Sequence, residues 1–399
     1  MKKLIRILLP VIALLLALGF SMQVSAAQTQ EITIEPIYVQ QINPVYQEFL
    51  QAESYTSPVF YDGPITYYES IEDAAKVLRE KMEDREATIS IGFKTKDNPN
   101  EVPLSKMIID SALEHTGNPT QGDYLLWQYK RYGCQTTGSH YPSTGIYELK
   151  LTYTLEYYTT NAQEELMDRR VDELLDELNV YKANDYVKVC TIYDYMCENI
   201  VYDYDGLAAQ NSNLIYTAYA ALINKTSVCQ GYANLFYRLA LELGVDCRII
   251  TGMGNGGPHA WNIVKLNGKY YDLDATWDAT RRQAKLDYQF FLCSDDAFGD
   301  HQRDTAYLTA EFYAQYPMGN TNYSYTEPEF VPGEFDGEIG VTDSDALYLL
   351  RHNLFPESFP VDAAVDKDIN SDGFFSDADA IYLLRFTLFP DTYPLYPGK

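Results

Sequence analysis

The sequence predicts an α+β protein with three folded parts: a small α/β domain, a mixed domain with an antiparallel sheet, and an all-α duplicated module at the C-terminus. Three observations predict it. Helical-period runs at 162–178, 184–200 and 231–243 are followed by three strand-like runs in succession. Two of those runs are joined by Asn267-Gly268, a strong two-residue hairpin turn. Finally, Val341-Thr-Asp-Ser-Asp-Ala-Leu-Tyr-Leu-Leu-Arg351 recurs as Phe375-Ser-Asp-Ala-Asp-Ala-Ile-Tyr-Leu-Leu-Arg385, so the C-terminus is an internal repeat.

The first element is a targeting segment. Lys2, Lys3 and Arg6 precede an apolar run from Leu8 to Leu18, and Val24-Ser25-Ala26 is a small-residue cleavage site. The run is shorter than the roughly 20 residues that a membrane span needs. Residues 1–26 therefore read as a signal peptide of a secreted chain, and no other stretch is apolar enough to span a bilayer. The formal charge is −27 and grows more negative once this segment is lost. Nucleic acid and anionic lipid are excluded as partners by that charge, whereas divalent cations suit it.

Residues 27–60 are polar and mixed and read as a leader or linker. In 61–160, Ile71, Ala74, Ala75, Val77, Leu78 and Met82 have helical spacing, 87–94 alternates as a strand, 103–115 is helical and 147–158 alternates at length. This is the small α/β domain, and it carries no chemical constellation. The central domain spans 161–325. Its helix from Gly231 to Leu243 stops at Gly244, and strands follow at 247–251, 259–266 and 269–275. A Pro- and acid-rich linker at 326–333 leads into the repeat at 334–399. The 36 tyrosines fit amphipathic packing at wet surfaces, with a stacking groove for sugar or peptide as the alternative.

There are six cysteines. Cys190 and Cys197 lie seven apart on a predicted helix, about 10 Å along its axis, too far for a disulfide. Mostly buried, reduced thiols are expected.

Cys229 stands apart. It precedes the apolar helix, and a helix N-terminus favours a thiolate and offers free amide groups to an oxyanion. His259-Ala260-Trp261-Asn262 and Tyr271-Asp272-Leu273-Asp274-Ala275-Thr276-Trp277 follow. Around Asn267-Gly268 the register pairs Leu266 with Lys269, which makes His259 and Asp274 diagonal neighbours on one face, ~7–8 Å apart at Cα. Asp272 shares the face but pairs with Ile263, further from the imidazole. A nucleophile, a base and an orienting carboxylate thus occur in one order. His301 reads as a cap on this domain, with a supporting role behind the catalytic residues as the alternative, and His115, His140 and His352 read as structural.

These motifs resemble the transglutaminase-like superfamily, over roughly 185–300. The resemblance implies a papain-like core with an antiparallel sheet, Cys229 as nucleophile, His259 as base and acid, and Asp274 as orienter. Tyr219, in Thr217–Leu222, and Gln230 are its candidates for completing an oxyanion site. Peptide or protein substrates would be hydrolysed, deamidated or joined to an amine, and the chemical step needs no cofactor.

Gly252-Met253-Gly254-Asn255-Gly256-Gly257 fits a dinucleotide fingerprint, but Pro258 and a strand follow, not a helix. It reads as a flexible loop lining the cleft.

In the repeat, Asp368, Asn370, Asp372, Ser376 and Asp379 place oxygens at calcium-loop positions, Gly373 makes the sharp turn and Phe374 offers a carbonyl. The first copy offers Glu334, Asp336, Glu338, Thr342 and Asp345, with Ile339 where the glycine should be. Loop plus helix, duplicated, resembles a type I dockerin, an all-α calcium-loop pair. It implies bound Ca2+ and a cohesin domain on a scaffold as partner, as in a cellulosome. A non-catalytic adaptor that binds peptide or glycan in such a polysaccharide-degrading complex is the alternative function.

Overall fold

The computed structural model describes residues 29–40, 65–209, 213–325, 333–337, 340–361 and 367–395. The expected signal segment, nearly all of the 326–333 linker and Glu338 lie outside the described residues. The chain forms two units, 1–164 and 165–399.

In the first unit five strands form one sheet, in the order β1-β4-β5-β3-β2. They are β1 Gln30–Gln40, β2 Tyr67–Tyr68, β3 Thr88–Thr95, β4 Tyr129–Tyr141 and β5 Ile146–Tyr157. The expected helices occur at Ile71–Glu83 and Leu104–Ala112. Ala74, Ala75, Leu78 and Met82 share a buried core with Ile89, Ile91, Ile108, Leu149 and Leu151. One expectation is corrected: the stretch read as leader supplies β1, which pairs antiparallel with β4 along its length. Its Ile32-Thr33-Ile34 run is β-branched and suits a pleated edge.

In the second unit the helix Asp185–Asn199 is capped by Asn184, whose side chain accepts from the Val187 amide. The helix Cys229–Glu242 is buried almost throughout. Gly244 follows it with φ +76°, a left-handed stop. Two short strands, β6 Val201–Tyr202 and β7 Thr226–Ser227, pair parallel. Four antiparallel strands follow, β8 Cys247–Gly254, β9 Gly257–Leu266, β10 Lys269–Leu273 and β11 His301–Arg303, in the order β10-β9-β8-β11. Register around the turn is the expected one, Leu266 with Lys269 and Asp272 with Ile263. Asn267 and Gly268 both have positive φ, as that turn requires.

Two local expectations fail. The strand predicted to run to Ala275 ends at Leu273, because Asp274 caps a new helix, Ala275–Gln283. The glycine-rich run is not a loose loop. It is the β8–β9 hairpin, turning at Asn255 (φ +50°) and Gly256 (φ +80°). No helix follows it to hold a pyrophosphate.

The C-terminal repeat folds as two like halves. The helices Asp343–Leu354 and Asp377–Leu388 both begin with a capping box, Thr342 with Asp345 and Ser376 with Asp379. Ala346 and Leu349 of one pack with Ala380 and Leu383 of the other. Tyr348 and Tyr382 donate to the Pro360 and Pro394 carbonyls at equivalent places. All six cysteines are free, as expected. Among the described residues no helix is long and apolar enough to cross a membrane.

Candidate active site

Cys229 opens its helix after Val228, whose backbone is extended. Gly231 permits the close seat of that first turn: a Cβ there would stand 1.9 Å from Ser227 Oγ and 2.7 Å from the Thr217 carbonyl. Cys229 and Gln230 are both 1% exposed. The first amides of a helix have no partner within it, so these two lie where an anion is stabilised.

His259 sits on β9 opposite Gly252 of β8. Its Nε2 is 2.8 Å from Asp274 Oδ2. The Cys229 thiol lies close enough to the ring to help raise its pKa. With Nε2 committed to the carboxylate, Nδ1 is the nitrogen left for sulfur. Trp277 stacks on the ring at 5.0 Å. Gly254 makes room on the other side, since a Cβ there would stand 2.9 Å from the imidazole. The glycines of the dinucleotide-like motif therefore serve this site.

Asp274 is fixed twice over. Its Oδ1 accepts from the Thr276 and Trp277 amides at 2.9 and 3.3 Å, as an N-cap should. Its Oδ2 faces His259 and, at 3.3 Å, His301 Nε2. Burial opposes the charge on Asp274, but His259 and His301 outweigh it and hold the carboxyl well below the usual carboxylate range. Burial likewise opposes the charge on His259. Asp274 and then Cys229 overcome it and raise the imidazole well above its ordinary value. The site therefore carries an imidazolium against a carboxylate at neutral pH.

The thiol, imidazole and carboxylate singled out in the sequence are thus brought together. Asp272 is not part of the line. Burial pushes its carboxyl up to about 6, against Arg303 and Trp261, which bind it at 2.8 and 2.9 Å. Tyr219 sits half-buried before the short turn Ala220–Asn224. The tyrosine that feels the charge of Cys229 is Tyr202, whose phenol is raised by burial and then by that charge. His301 was read mainly as a cap, and Arg303 and Tyr202 were missed as site residues. They lie on strands of two or three residues, too short to show a period.

The repeat loops close around their last carboxylates. In the second copy Asp379 accepts from the Asn370 and Ser376 amides, and Asp368 from those of Asp372 and Gly373. Gly373 has φ +91°, the sharp turn expected there. In the first copy Asp345 accepts from the amides of Phe335, Asp336 and Thr342. Gly337 and Gly340 supply its positive φ. Glu334, Asp336 and Asp345 bring oxygens within 4.8 Å of one another. Burial and the neighbouring Asp345 and Asp336 charges raise the Glu334 carboxyl. Ser376 and Thr342, expected as ligands, use their hydroxyls to cap the Ala378 and Ser344 amides.

Comparison with known proteins bears on the central region. Kyphoscoliosis peptidase of Mus musculus is 27% identical over 196 residues, 46% of this chain and 28% of that protein. Kyphoscoliosis peptidase of Homo sapiens is 29% identical over 119 residues, 27% of this chain and 18% of that protein. The chain thus spans less than a third of either relative. The crystal structure of a TGase aligns with TM-score 0.25 and 18% identity, over 32% of this chain and 41% of that one. Residues 172–275 match the family model of the transglutaminase-like superfamily. The chain carries a domain of the transglutaminase-like superfamily.

Proposed function

We propose that this chain is a secreted cysteine enzyme that acts on peptide or amide carbonyls through Cys229, His259 and Asp274. The observation that carries the proposal is the buried imidazole held 2.8 Å from a buried carboxylate, with the Cys229 thiol close enough to help raise its pKa. Asp274 keeps His259 charged and oriented, and His259 holds the proton of Cys229. The thiolate attacks the carbonyl carbon, and the amides at the head of the Cys229 helix receive the oxyanion. The C–N bond breaks as His259 gives its proton to the departing nitrogen, which leaves a thioester. Water then releases an acid, or an amine takes the acyl group, and sulfur departs as thiolate.

A peptide library incubated with an amine donor and read by mass spectrometry tests this. Cleavage, deamidation or crosslinking is expected, and Cys229→Ala should lower it by ~10⁴-fold or more. Undiminished turnover by that variant would refute the proposal. One observation favours a second reading. Cys229 is almost wholly covered, as in a domain that binds peptide or glycan without turnover.

The C-terminal module we assign to calcium and to a cohesin domain of an extracellular scaffold, such as that of a polysaccharide-degrading complex. Support comes from the duplicated loop-helix pattern and from carboxylates crowded in the first loop, whose repulsion a cation would relieve. Secretion is supported by the 1–26 segment.

A further inference from the structure

We propose that His301 is a positioning residue of this site: a second imidazole, doubly protonated, that shares Oδ2 of Asp274 with His259. The inference rests on the functional reading above. Asp274 Oδ2 receives His259 Nε2 at 2.8 Å and His301 Nε2 at 3.3 Å, while the backbone amides of Thr276 and Trp277 occupy Oδ1. The carboxylate is therefore held on every side and cannot rotate away from His259.

His301's other nitrogen decides its charge. Nδ1 lies 3.1 Å from the Gly299 carbonyl, which can only accept. Both ring nitrogens thus face acceptors, and a neutral imidazole has a single N–H. Only the doubly protonated ring satisfies both. The surroundings suit a cation: Phe298 stacks on the ring at 3.9 Å and Trp277 lies at 4.3 Å. The His301 side chain is 1% exposed. The fold spends strain to deliver it, since Asp300 takes φ +66° and its carbonyl is held by the Asn255 amide of the β8–β9 turn. Other ionisable groups around this pair are Cys229 on its helix, Asp278 on the helix that Asp274 caps, Tyr202 on its short strand, and the Arg303–Asp272–Asp295 group. Oδ2 of Asp274 is shared by the two imidazole rings, whose centroids are 5.4 Å apart, so the one carboxylate offsets the charge of both.

Histidine-selective ¹⁵N NMR of the full chain at pH 7 tests the charge without turnover, with His301→Gln identifying the resonances. Both His301 nitrogens should carry protons; a bare ring nitrogen would overturn the inference. Kinetics test the positioning. His301→Phe should fill the aromatic site yet lower kcat about tenfold with KM within twofold. His301→Gln keeps one donor toward Asp274 and should recover part of the loss. Wild-type kcat in both variants would equally overturn it. A chain inactive on every amide would defeat the functional reading, while the NMR result would still decide the state of His301.

Discussion

At the scale of the residue, the site is a balance between burial and charge. Burial acts against ionising both His259 and Asp274, and their mutual attraction reverses its sign for each. A raised His259 keeps its proton above the ordinary imidazole value near 6.5 and loses it only as pH climbs through the higher folded value. The alkaline limb of kcat/KM should therefore lie well above neutrality. Asp274→Asn removes the charge that raises it, so this limb should move to lower pH and kcat should fall ~10²–10⁴-fold. A pH–rate profile checks both, and an unmoved limb would break the link between carboxylate and imidazole. Arg303 depends on burial differently. It neutralises Asp272 deep in the core, so Arg303→Met should cost about 3–5 kcal/mol by leaving that charge unpaired. Urea denaturation would measure it.

At the scale of the element, close approach decides more than propensity does. Gly252 lies under β11, where a Cβ would stand 1.9 Å from the Gln302 carbonyl. Gly252→Ala should push β11 off the sheet and carry His301 and Arg303 with it. A loss of about 1–3 kcal/mol and a fall in kcat are expected, from thermal unfolding and assay. Much of this was legible in the sequence: the Asn267-Gly268 hairpin set a register that the structure keeps, and the Cys229 helix stood out by its apolar run. β1, β4 and β11 were not. β1 carries Pro36 within its alternation, β4 mixes polar residues and glycine into its own, and β11 has only three residues held by pairing with β8. Asp274 was placed on the correct face but on the wrong element, because a cap and a strand end look alike until the next helix is seen. The repeat loops offer a test of their own. Calorimetry on the full chain should show calcium uptake, reduced by Asp379→Ala and by Asp345→Ala, each of which removes the carboxylate that its loop folds around. Heats unaffected by both would exclude the loops as the sites.

At the scale of the whole molecule, no single element makes the site. The thiol comes from a helix start, the imidazole from mid-sheet, the carboxylate from a cap and the second imidazole from a distant short strand. Their meeting depends on the cooperative fold of the second unit, so the chemistry should vanish with it. The six free thiols supply an internal control. Brief iodoacetamide treatment near neutral pH, followed by peptide mass spectrometry, compares them in one sample. Native protein should be alkylated first at Cys229, His259→Ala should abolish that preference, and urea should level all six. A native Cys229 no more reactive than the buried Cys134 or Cys247 would contradict the account.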